Sequence, residues 1–103
     1  MKVEILYFDD CPNWRDAADR VREAATAIGL PDIEIEVRPI TSDAEAAGSA
    51  FAGSPTILVD GVDAFDDAVQ LTGLACRIYR TEAGAAGLPT VDQVAASLRK
   101  RVA

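Results

Sequence analysis

Val3-Glu4-Ile5-Leu6-Tyr7-Phe8-Asp9-Asp10-Cys11-Pro12-Asn13-Trp14 is the stretch on which the fold turns. Val3 to Phe8 is a run rich in β-branched and aromatic residues, the composition of a strand buried in a sheet, and Asp9-Asp10-Cys11-Pro12 breaks it. A helix is expected directly afterwards. Trp14, Ala17, Ala18, Val21, Ala24, Ala25 and Ile28 recur at the three-and-four spacing that presents one apolar stripe to a core, while Arg15, Asp16, Asp19, Arg22 and Glu23 stay wet. Gly29 ends this helix and Pro31 prevents its resumption.

Downstream, Ile33, Ile35 and Val37 alternate with Glu34, Glu36 and Arg38, a period of two that suits a sheet-edge strand with one dry face. Ser42 and Glu45 form a capping-box signature, predicting a short helix to about Phe51 that Gly48 weakens. Gly53-Ser54-Pro55 then precedes the strand Thr56-Ile57-Leu58-Val59, which ends in the turn signal Asp60-Gly61. Residues 62 to 75 read as a loop with room for one helical turn. Cys76-Arg77-Ile78-Tyr79-Arg80 alternates again and is expected to return antiparallel to Thr56–Val59 after that long connection. Gly84 and Gly87 loosen the chain. Thr90 with Gln93 is a second capping box, opening a terminal helix with the stripe Val91, Val94, Ala95, Leu98 and Val102 and with Arg99, Lys100 and Arg101 at its carboxyl end. The order strand, helix, strand, helix, strand, strand, helix predicts an α/β fold: a mixed four-stranded sheet flanked by helices on both faces.

The chain has 103 residues, enough for one domain over 1–103 and no second core. Its 17 acidic residues against 10 basic ones give a net charge of -7, which argues against nucleic acid or an anionic membrane surface as partner. The absence of histidine removes every triad, dyad or zinc site that needs an imidazole. Only two cysteines occur, Cys11 and Cys76, so a disulfide-dense secreted scaffold and a four-cysteine zinc site are both excluded. The opening Met1 to Asp10 is too short in apolar residues and too acidic for a signal peptide, and cytoplasmic residence is the expectation. Asp60, Asp63, Asp66 and Asp67 lack the spacing of a calcium loop, and Gly53-Ser54 does not make a phosphate loop. Arg77 and Arg80 read as a solvated strand edge. No cofactor or bound metal is called for.

Cys11 precedes Pro12, a residue favoured at the first position of a helix, so the sulfur is expected at a helix amino terminus. There the backbone N–H groups of Asn13 and Trp14 and the dipole favour thiolate, against repulsion from Asp9 and Asp10. The expectation is an accessible thiol that iodoacetamide modifies well before Cys76, with Cys76 filling core between Ala75 and Ile78. Trp14, Tyr7 and Phe8 read first as core. A substrate platform is the second reading of Trp14.

With these residues in place the chain resembles the thioredoxin-like superfamily over nearly its whole length. In that family a reactive cysteine opens the helix after the first strand, as Cys11 does, and a cis proline before a later strand lies against it. Pro55 in Ser54-Pro55-Thr56 matches that position. The resemblance implies a cis Ser54-Pro55 bond that exposes the backbone of Ser54 to an extended peptide or thiol substrate, so Ser54, Pro55, Thr56 and Trp14 are the candidate substrate-binding residues. The chain departs from a Cys-x-x-Cys motif, because Trp14 stands at the resolving position.

Three chemistries follow for the catalytic candidates Cys11 and Cys76. Cys76 resolves Cys11 if the fold brings their Cα atoms within about 7 Å, a distance that the expected antiparallel return disfavours and a longer excursion through 62–75 would permit. Alternatively, Cys11 works alone through mixed disulfides with a protein or low-molecular-weight thiol. In the third, two thiolates share a soft metal; the chain also resembles sequences labelled alkylmercury-lyase-like, and such cleavage would use both thiolates for mercury and Asp9 or Asp10 as the proton source. A non-catalytic binding module of the same fold is the competing class.

Overall fold

The computed structural model describes residues 1–30 and 32–102, so the expected helix-stopping role of Pro31 lies outside the described residues. Strand β1 (Lys2–Tyr7) leads through a turn into helix α1 (Trp14–Ala27), and β2 (Glu34–Pro39) returns parallel to β1 with Ile5 opposite Val37. Helix α1 buries Ala17, Ala18, Val21, Ala24 and Ala25, the stripe expected from the sequence. It ends in a Schellman motif: Leu30 N–H donates to the carbonyl of Ala25 and Gly29 N–H to that of Thr26, with Gly29 at a φ of 79°. Trp14, not Pro12, is the first helical residue, so Cys11 belongs to the preceding turn, where its N–H donates to the carbonyl of Phe8 at 2.9 Å.

Helix α2 (Asp43–Ala47) is capped as expected, with Glu45 N–H donating to Ser42 Oγ. It stops at Gly48, well short of Phe51, because glycine costs about 1 kcal/mol relative to alanine in a helix. Strand β3 (Thr56–Val59) is fully buried and antiparallel to β1, with Ile5 opposite Ile57. Helix α3 (Val91–Val102) opens in a reciprocal capping box: Gln93 N–H donates to Thr90 Oγ1 and Thr90 N–H to Gln93 Oε1.

The fourth strand is a correction. Asp60 and Gly61 both take positive φ, 50° and 86°, which is what a two-residue hairpin with a type I′ turn needs. The chain therefore reverses immediately into β4 (Val62–Asp63), and Val59 pairs with Val62. Since β4 fills the place beside β3, the sheet order is β2-β1-β3-β4 and the segment from Cys76 is excluded from it. Instead β5 (Tyr79–Thr81) forms a separate hairpin with β6 (Gly84–Ala86), a pair absent from the sequence-based order. The architecture is a mixed four-stranded sheet with helices on both faces. Val3, Ile5, Ile57 and Val59 pack against α1 and α3 on one face, and Leu6 and Leu58 pack with Ile40, Ala46 and Phe51 on the other.

Gly53 marks where two backbones meet between β3 and the displaced segment. Its φ is 105°, and a Cβ there would lie 2.8 Å from Cβ and 2.9 Å from Cα of Arg77. Neither obstacle is the flexible end of a side chain, so Gly53→Ala is expected to destabilise the fold by about 2 kcal/mol through backbone strain and overpacking together. Urea denaturation checks this, and a loss under about 0.5 kcal/mol, the range of an ordinary surface change, contradicts the close approach.

Candidate functional site

Residues 51 to 59 are buried without interruption, and within them Ser54-Pro55 is a cis peptide bond, as the resemblance implied. All three hydrogen-bonding groups of Ser54 are engaged. Its N–H donates to the carbonyl of Ala75 at 2.8 Å, its carbonyl accepts from Arg77 N–H at 2.9 Å, and its Oγ accepts from Phe8 N–H at 2.9 Å. The first two bonds form a parallel bridge between Ser54 and Cys76. The backbone expected to lie open to an extended substrate is thus occupied by the chain's own residues 75 to 77. The third bond ties the same serine to the end of β1, where the turn carrying Cys11 begins.

This pairing brings the two cysteines together. Cys11 and Cys76, separated by 65 residues in sequence, form a disulfide with their Cα atoms 5.8 Å apart, inside the range that a bridge requires. The long excursion through 62–75, rather than the antiparallel return, is the route the chain takes. Cys11 is 1% exposed, whereas Cys76 is exposed. Both cysteine environments therefore reverse the sequence expectation: Cys11 is not an accessible thiol, and Cys76 does not fill core.

Arg77 is a further correction. Cys76, Ile78 and Arg80 point outward while Arg77 and Tyr79 point inward, so the alternation has the expected period of two but a guanidinium on the dry side. Arg77 Nη1 lies 2.8 Å from Asp63 Oδ2 and Nη2 3.3 Å from Asp63 Oδ1, with the two side chains only 6% and 13% exposed. Its guanidinium also stands 4.5 Å from the Tyr79 ring centre, and Tyr79 Oη donates to the carbonyl of Pro55. Desolvation alone lowers the affinity of Arg77 for its proton, but the hydrogen bond to Asp63 and the charges around it outweigh that, and the net shift is upward. Sequence reasoning missed this cluster because it placed Arg77 and Arg80 together on a solvated edge. The spacing of two between Arg77 and Tyr79, with Asp63 after a hairpin turn, was the available signal.

Thr56 is wholly buried and braces the loop, its Oγ1 accepting from Ala52 N–H and donating to the carbonyl of Gly53. Trp14 is half-buried against the α1 core and stacks on Tyr7 with ring centres 4.4 Å apart, the position of a lid on apolar packing. Among the described residues no group of three or more His, Cys, Asp or Glu converges to hold a metal, so the two sulfurs gain no third donor. No helix there is long and apolar enough to cross a membrane. No family model matches the chain, and no curated protein or solved structure shows significant similarity to it.

Two outcomes test the buried cluster. Arg77→Met leaves Asp63 without its cation and is expected to cost about 3 kcal/mol in denaturant unfolding; a near-neutral result would show that the pair is not buried in solution. Burial pushes the Tyr79 phenol well above its ordinary value of 10.0, and the positive charge of Arg77 opposes this only in part. The folded state therefore holds that proton more tightly than the unfolded chain. Its stabilisation is complete below pH 10 and is lost as pH climbs from there towards the folded value, by up to about 1.4 kcal/mol per pH unit. Unfolding free energies of wild type and Tyr79→Phe, measured from pH 8 to 11, should diverge in slope above pH 10 and run parallel below it.

Proposed function

We propose that this chain is a thioredoxin-like, thiol-dependent redox protein in which Cys11 and Cys76 cycle between disulfide and dithiol, exchanging with a protein or low-molecular-weight thiol or disulfide. The observation that carries this is the convergence of the chain's only two cysteines, 65 residues apart, at the bridge between Ser54 and Cys76. Closing so long a loop stabilises the oxidised form by roughly 4 kcal/mol in the chain-entropy model, so reduction is coupled to the stability of the whole domain.

The second reading, a non-catalytic binding module with a permanent staple, draws on the burial of Cys11 and on the self-occupied backbone of Ser54. Reduction of insulin by a dithiol, with the protein as catalyst, separates the cases. Redox cycling of the pair predicts that Cys11→Ser and Cys76→Ser each fall to the rate of the dithiol alone. Retained activity in Cys76→Ser would point to single-thiol work at Cys11, and an inactive wild type would leave the staple.

A further inference from the structure

We propose that Cys76, and not Cys11, is the sulfur at which exchange with an external thiol or disulfide begins, with Cys11 as the sheltered thiol that leaves or resolves; this assignment rests on the redox function proposed above. Exchange requires an incoming thiolate to reach a disulfide sulfur, so access decides which of the two is attacked. Cys11 is 1% exposed, enclosed in the turn between β1 and α1. Cys76 is exposed and begins an outward row with Ile78, itself 66% exposed, and Arg80. Ile78 and Arg80, with Thr81, Gly84 and Ala85, line an open cleft of about 410 Å3 along the same side. A molecule approaching from solvent thus meets Cys76 before the buried Cys11, and the cleft opens further along the same segment at Ile78 and Arg80.

The inward neighbours keep Cys76 in register. Arg77 is paired with Asp63, Tyr79 donates to Pro55, and Arg77 N–H is bonded to Ser54. None of these contacts involves a sulfur, so they hold Cys76 opposite Cys11 whether or not the bond is closed. In the reductive direction a monothiolate attacks Cys76 Sγ, the Cys11–Cys76 bond breaks, and Cys11 departs with the electron pair and takes a proton from water. The new bond joins the external sulfur to Cys76. A second external thiolate then attacks the external sulfur of that mixed disulfide and frees Cys76, so two thiols are oxidised to one disulfide while the protein disulfide becomes two thiols. In the oxidative direction the Cys76 thiolate attacks a substrate disulfide and releases one substrate thiolate, and the Cys11 thiolate then attacks Cys76 Sγ, closing the protein disulfide and releasing the second substrate thiolate.

The test uses the oxidised wild-type protein, so that it does not depend on whether a variant folds. The protein is exposed briefly to limiting 2-mercaptoethanol, quenched in acid, alkylated and mapped by peptide mass spectrometry. The expected result is a mercaptoethanol adduct on Cys76 at least about tenfold in excess of that on Cys11, with Cys11 recovered as the alkylated thiol. A smaller excess, or a preference for Cys11, overturns the assignment while leaving exchange itself standing. No adduct at either cysteine, with the bond intact, overturns both the assignment and the redox function.

Discussion

The engagement of Ser54 by two separate segments through three hydrogen bonds is the constraint on which the arrangement depends. One serine receives the end of β1 through its hydroxyl oxygen and the displaced 75–77 segment through both backbone groups. A buried N–H or C=O left unpaired here would cost about 1–3 kcal/mol, so residues 75 to 77 supply what water or a neighbouring strand would otherwise have to provide. Register then does the rest. A parallel bridge between Ser54 and Cys76 sets the height of Cys76 along the loop, and the hydroxyl bond to Phe8 holds the Cys11 turn at the same level.

Beneath that bridge lies a polar cluster in an otherwise apolar setting. Arg77 is balanced by Asp63, faces the Tyr79 ring, and has the Phe65 ring centre 5.9 Å away. Asp63 is available because the Asp60-Gly61 hairpin reverses the chain at once, and Asp63 also accepts from Phe65 N–H at 2.9 Å, which steers the chain out of β4. The short fourth strand and the buried arginine are therefore linked: the strand places the carboxylate, and the carboxylate permits the guanidinium under the loop. Replacing the pair with apolar residues of equal volume need not weaken such a core, so its contribution is better understood as fixing the path of residues 76–79 than as adding stability.

Local signals were read correctly where neighbours in sequence are also neighbours in space. The α1 stripe, both capping boxes and the Asp60-Gly61 turn depend on contacts within a few residues, and each is found where the pattern put it. The departures share one cause. The 76–80 segment has the alternation of a strand, but alternation does not say which face is dry. Only the proximity of Asp63 makes it favourable for Arg77 to turn inward and Cys76 outward.

What the sequence determined by itself is the element order as far as β3, the crossover through α1, the mixed sheet, the terminal helix and the short list of sulfurs, because periodicity and turn chemistry are carried by adjacent residues. What only the tertiary structure decided is the partnership of those sulfurs and which of them is covered. Bringing Cys11 to Cys76 across 65 residues depends on a hairpin taking the sheet position, on a loop whose backbone needs partners, and on a carboxylate meeting a guanidinium. No one of these contacts lies between residues close in sequence to the cysteines on both sides, and so no local pattern records them.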